Sequence, residues 1–163
     1  HLDPFSSSEA NEVVLALNYF TEQDNAFTKS WPSYLPRTGG TVWMNPPYSR
    51  GVSAQAVDRF IAEYEAGSFV EGVFLVNNAT ETRWFQRALG VAAAVCLTDH
   101  RISFWNADGK AVSGNTRGQA FFYFGDHPER FVRAFDEHGT ALIIANRREH
   151  EMRPPKARKK KED

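Results

Sequence analysis

A chain of 163 residues, 42% of them hydrophobic, is long enough for one domain with a full core and short for two. Its 13 Phe, 5 Tyr and 4 Trp exclude a disordered or fibrous chain, and the single cysteine excludes an internal disulfide framework or a multi-cysteine zinc site. A net charge of −1 points to no class of partner, and no apolar run approaches the roughly 20 residues that span a bilayer, so a reducing, cytoplasmic setting is expected.

Asp3-Pro4-Phe5 is followed by a serine run, then by Ala10, Val13, Val14 and Leu17 at helical spacing, with Ser8 as the expected N-cap. Residues 21–40 read as loop, and Trp31 lies within it with no periodicity to place it. Thr41 to Met44 form a short strand that two prolines stop at Asn45. Ala54, Val57, Phe60, Ile61 and Tyr64 make the stripe of a second helix, ended near Gly67.

Val70 to Val76 reads as a buried strand. Thr80 is the expected cap of a third helix whose face is Trp84, Phe85, Ala88 and Leu89. Ala93 to Leu97 is another apolar run. Ile102–Trp105 and Ala120–Phe124, joined by a Gly- and Asn-containing loop, are expected to pair antiparallel. Asp126 and Pro128 open a fourth helix with Phe131, Val132 and Phe135 inward, and Ala141 to Ala145 is a last strand.

The alternation predicts an α/β fold: a mixed, doubly wound sheet with an antiparallel hairpin at one edge. In such sheets ligands bind beyond the carboxyl ends of the parallel strands. The composition shifts near residue 147. Residues 1–146 form the expected domain, and 147–163 an Arg/Lys-rich, disordered tail. That tail is a solvated end or, alternatively, a salt-sensitive phosphate contact.

Asn45-Pro46-Pro47-Tyr48 stands at a strand's carboxyl end. An aromatic amine is a poor nucleophile because its lone pair is delocalised into the ring. Two acceptors on its N–H bonds favour a tetrahedral nitrogen with the lone pair free. The Asn45 side-chain carbonyl and the Pro46 backbone carbonyl can supply them, held in place beforehand by the fixed proline dihedrals. Tyr48 offers a flat face to a planar base. The rate gain then comes from aligning the amine with a methyl donor, with no metal or general base. The plainer alternative is a strand-ending turn.

Further strings surround this motif: Leu2-Asp3-Pro4-Phe5-Ser6-Ser7, Glu9-Ala10-Asn11, Tyr19-Phe20-Thr21 with Asp24, Trp43 to Arg50, Arg101-Ile102-Ser103-Phe104, and Gly118 to Gly125. Together they resemble the phage and prophage DNA N6-adenine methyltransferases, often called Dam-like. The resemblance implies a Rossmann-like methyltransferase fold using S-adenosylmethionine, DNA as partner with its target base flipped out, and a bacterial, phage- or prophage-encoded setting.

By that resemblance Asp3, Pro4 and Phe5 lie beside the cofactor, Asp24 is the acidic residue near its adenine, and Asn45, Pro46, Pro47 and Tyr48 are catalytic. Arg101 to Phe104 begin the edge hairpin. The family's segment ahead of the Asp-Pro loop, with the first strand, is absent or trimmed, and no Gly-x-Gly follows Asp3-Pro4.

Arg50, Arg83, Arg101, Lys110 and Arg117 flank the expected site and are candidate DNA contacts, though each is also readable as a solvated charge. The five histidines show no metal-ligand spacing. Two other functions remain open: methylation of RNA adenine or protein glutamine, and a non-catalytic, DNA-binding relic of the fold.

Overall fold

In the computed structural model, which describes residues 1–49, 51–105, 111–112 and 116–145, strands and helices alternate along most of the chain. β1 (Leu2–Asp3) leads through α1 (Ser8–Val14) to β2 (Asn18–Tyr19), and a 3-10 turn at Trp31–Tyr34 breaks the loop before β3 (Thr41–Met44). α2 (Val52–Glu65), β4 (Glu71–Asn77), α3 (Arg83–Val91) and β5 (Ala94–Thr98) follow. β6 (Phe104–Trp105), β7 (Ala111–Val112), β8 (Gln119–Phe124), α4 (Pro128–Phe135) and β9 (Gly139–Ile143) complete the order.

Seven strands form one mixed sheet in the order β2-β1-β3-β4-β8-β5-β9. β2, β1, β3 and β4 run parallel. β8 is antiparallel to both β4 and β5, so β5 points the same way as β4, and β9 returns antiparallel to β5.

The expected hairpin does not form. Phe104–Trp105 pairs with Ala111–Val112 in a separate two-stranded ribbon, whereas Gln119–Phe124 lies in the middle of the main sheet. The reason is burial. All six residues of β8 are buried, on both faces, and only a central position with a ladder on each side satisfies such a strand. The antiparallel strand at the outer edge is β9 instead.

The helices cover both faces. Val42, Met44, Phe74, Val76, Phe122 and Phe124 pack against Val57, Phe60 and Ile61 of α2 and Phe85 of α3. Phe60 meets Phe69, Phe74 and Phe124 with ring centroids 4.9–5.1 Å apart. Leu75, Cys96, Phe121 and Tyr123 look the other way, toward Phe131 of α4.

Two caps differ from expectation. Ser7, not Ser8, caps α1 by accepting from the Ala10 amide, and Thr82, not Thr80, caps α3 by accepting from Phe85. The apolar spacing of α1 misleads as well. Val13 is 84% exposed, since α1 buries no residue, and Leu17, 76% exposed, lies beyond the end of the helix at Val14. Trp31, by contrast, is fully buried, donates to the Ala26 carbonyl and lies under the Arg59 guanidinium.

Candidate active site

Chain order reverses at β1: its two neighbours are β2 on one side and β3 on the other. The loops leaving β1 and β3 therefore part in opposite directions and leave a crevice at their carboxyl ends. Asp3-Pro4-Phe5 leaves the first, and Asn45-Pro46-Pro47-Tyr48 leaves the second. The crevice holds a cavity of about 640 Å³, within the range of small-molecule sites.

Its walls come from three loops. Phe5 and Ser6 follow β1; Thr21, Glu22, Asn25, Ala26 and Phe27 follow β2; Asn45 to Ser49 follow β3. Phe104 from the β6 ribbon closes one side, meeting Tyr48 edge-on with centroids 5.7 Å apart.

Within the motif, each polar group has a definite state. The Tyr48 hydroxyl donates to Asn45 Oδ1 at 2.8 Å, which fixes the side-chain carbonyl's direction. Burial pushes the Tyr48 phenol pKa up, so the hydroxyl stays a donor. Ser53 donates to the Pro47 carbonyl at 3.1 Å. The Pro46 carbonyl has no donor among the described residues. The motif thus presents one acceptor whose direction is set and a second whose lone pairs are open.

The expected cofactor residues divide. Phe5 lines the cavity, while Pro4 and Asp3 are buried beneath it. Asp3 accepts from the Phe5 amide at 3.2 Å, and it organises the loop rather than facing the cavity. Burial raises its pKa to about 6, against opposing hydrogen bonds from the Phe5 amide and Ser6.

Asp24 also turns away from the cavity. It accepts from the Thr21 amide and hydroxyl and pairs with Lys29 at 3.2 Å. These bonds hold its carboxyl down at about 2. They also fasten the turn that puts Glu22 in the cavity wall.

Sequence reasoning missed Glu22, Asn25, Phe27 and the anchoring role of Arg59. That guanidinium donates to the Phe27 and Lys29 carbonyls at 3.0 and 2.9 Å and pairs with Glu63, so α2 holds the loop after β2 in place. The Arg/Glu spacing of four on α2 was the signal available in the sequence.

Among the DNA candidates, Arg83, Arg101 and Arg117 are exposed in loops or at a helix start beyond the sheet. Arg50, Lys110 and the tail from residue 147 lie outside the described residues. Among those described, no group of His, Cys, Asp or Glu could hold a metal, and no helix is long and apolar enough to cross a membrane.

Comparison with known proteins supplies the deciding observation: the profile of the DNA N-6-adenine-methyltransferase (Dam) family matches residues 1–152. The chain belongs to the Dam family. That match spans β1 to β9 and so includes all three loops of the cavity. No individual curated protein matches the chain. The Dam family's activity, DNA adenine methylation, agrees with a motif that offers two acceptors and an aromatic face at one crevice.

Proposed function

We propose that this protein transfers the methyl group of S-adenosylmethionine to N6 of adenine in DNA, on a base flipped out of the helix. The observation that carries the reading is the pairing of the oriented Asn45 carbonyl with the open Pro46 carbonyl beside Tyr48, in a cavity at the strand reversal. An amine held by both acceptors has its lone pair free, and Tyr48 stacks on the ring.

The cofactor is a cationic, partly aromatic nucleoside, and the chemistry of the cavity suits it. Phe5 and Phe27, packed edge-on with centroids 5.3 Å apart, offer apolar surface, and the Glu22 carboxylate joins the wall. Asp3 sets a buried carboxyl beneath, whose ionised form a cation above it would favour. Bound there, the cofactor supplies the electrophilic methyl group. Asn45 and Pro46 orient the amine, Phe5 and Phe27 hold apolar surface away from water, and Asp3 shapes the loop between them. Asp24 serves that half of the site through its hold on the Glu22 turn.

The fold that follows from this reading is the Rossmann-like methyltransferase sheet: parallel strands flanking the reversal at β1, with β8 inserted in reverse. Residues 1–146 are its domain.

The test is incubation with unmethylated plasmid DNA and labelled S-adenosylmethionine, followed by nucleoside analysis. Label in N6-methyladenine is expected. Label in a cytosine product, or only in RNA or protein offered in parallel, would overturn the substrate. Absence of cofactor binding by calorimetry would leave a non-catalytic relic of the fold.

A further inference from the structure

Three loops meet beyond the carboxyl ends of β4 and β5, on the same edge of the sheet as Asn45. Asn78 leaves β4, Arg101 follows β5, and Gly118 enters β8; the Asn78 amide donates to the Gly118 carbonyl at 3.0 Å. A Cβ placed on Gly118 would stand 2.6 Å from Asn78 Nδ2 and 3.2 Å from Arg101 Nη1. The ends of two side-chain donors from different loops therefore lie side by side against the bare Cα of Gly118, an approach that a side chain at residue 118 would push apart.

Neither donor is engaged. Among the described residues, the Asn78 side chain and the Arg101 guanidinium have no hydrogen-bond or ion-pair partner, and both are exposed. The acid next to Arg101, Asp99, is turned to His100 instead, with Nδ1 and Oδ1 2.6 Å apart. A guanidinium and a side-chain amide exposed side by side suit an anion with several oxygens, and a planar guanidinium can engage two of them at once.

We propose that Asn78, Arg101 and the bare backbone at Gly118 form a subsite for one phosphate of the DNA backbone, close to the nucleotide entering the Tyr48 cavity. The inference rests on DNA being the substrate, as proposed above. A contact of this kind positions the duplex and carries no sequence information itself. The subsite lies on the opposite side of Asn45 from the cofactor loops, because β4 is the neighbour of β3 away from β1. It would therefore hold the strand while leaving the cofactor loops untouched.

The experiment measures duplex DNA binding against salt for the full chain and for Arg101→Ala and Gly118→Ala. The second variant keeps every charge, and its methyl group displaces the exposed ends of Asn78 and Arg101 from each other; Gly118 is not in the left-handed region, so the backbone tolerates it. Each variant should reduce the slope of log affinity against log salt by about 1, the loss of one phosphate contact. Single neutral methylphosphonates scanned along the target strand should weaken the native protein at one position and leave both variants indifferent there.

Slopes and scans identical to the native protein overturn the subsite. So does an Arg101 effect that follows the flanking bases rather than the phosphate. Gln119, buried nearby, has a side-chain carbonyl without a partner. A lower melting temperature for Arg101→Ala with an unchanged slope would assign Arg101 to that structural neighbourhood and overturn the proposal. If the native protein neither binds DNA salt-dependently nor methylates it, the substrate reading falls as well, and the absence of methylation separates that outcome from the others.

Discussion

On the side of β2, β1 and β3 the strands are two to four residues long, and the loops leaving them build the cavity. Next to them β4, β8 and β5 have seven, six and five residues, and their side chains are mostly buried among aromatic rings. The first region also buries Leu2, Phe20, Trp31, Val42 and Met44, but the loops that leave it are held by turns and hydrogen bonds to loop backbone. The second is held by packing. Regions with few buried apolar contacts open more easily than core strands, and sites that must admit a ligand draw on that property. The chemistry and the stability of this protein therefore rest on different residues and should be separable by substitution.

The largest expected effect is in the packed region. Phe122, fully buried on β8, meets Phe74 and Phe85 at 5.0 and 4.9 Å. Phe122→Ala should cost about 3–5 kcal/mol in denaturant unfolding. A stability loss below 1 kcal/mol would mean that the packed half does not carry the fold.

Asn45→Ala tests the other half. Methyl transfer should fall about 10²–10³-fold, as for loss of one preorganised polar group, with the melting temperature unchanged. Activity that survives removes Asn45 from its role as acceptor, and a large drop in melting temperature would blur the two regions into one.

Asp3 lies between the two behaviours, since it is buried but belongs to the cavity loops. Its folded pKa of about 6 lies above the ordinary 3.8, so the folded protein keeps a proton that the unfolded chain has released. Its contribution is full below about pH 4 and is lost as pH rises through 6, to a limit of roughly 3 kcal/mol. Asp3→Asn should flatten the stability profile across that window. A slope that persists in the variant would place the titration elsewhere.

The smallest effect expected is at a cap. Thr82→Ala should lower stability by about 1 kcal/mol through the start of α3, with cofactor affinity unchanged. A change in cofactor affinity would show that the two halves communicate through that helix.

How much was legible beforehand follows the same division. The β3–Asn45 junction, the stripe of α2 and the inward faces of Phe85 and Phe131 are local patterns, and all of them occur as the periodicity and the prolines require. The pairing of Gln119–Phe124 was misplaced because adjacency along the chain favours a hairpin, whereas the ladder it joins comes from residues far away in sequence. Trp31 is unplaceable from the sequence because Arg59, which covers its ring, meets it only once α2 has docked. Asp24 and Glu22 show the same limit. Two acidic residues two positions apart look alike until one of them is consumed by its own turn.

By itself, then, the sequence determined the elements with short-range causes: apolar spacing, proline stops, and the motif whose donors and acceptors lie within four consecutive residues. The tertiary structure decided what depends on distant segments: which strand lies central, which carboxylate reaches the cavity, and which loops meet at Gly118. Those outcomes depend on burial and on completing backbone hydrogen bonds across the whole sheet, and neither is encoded in any single window of the chain.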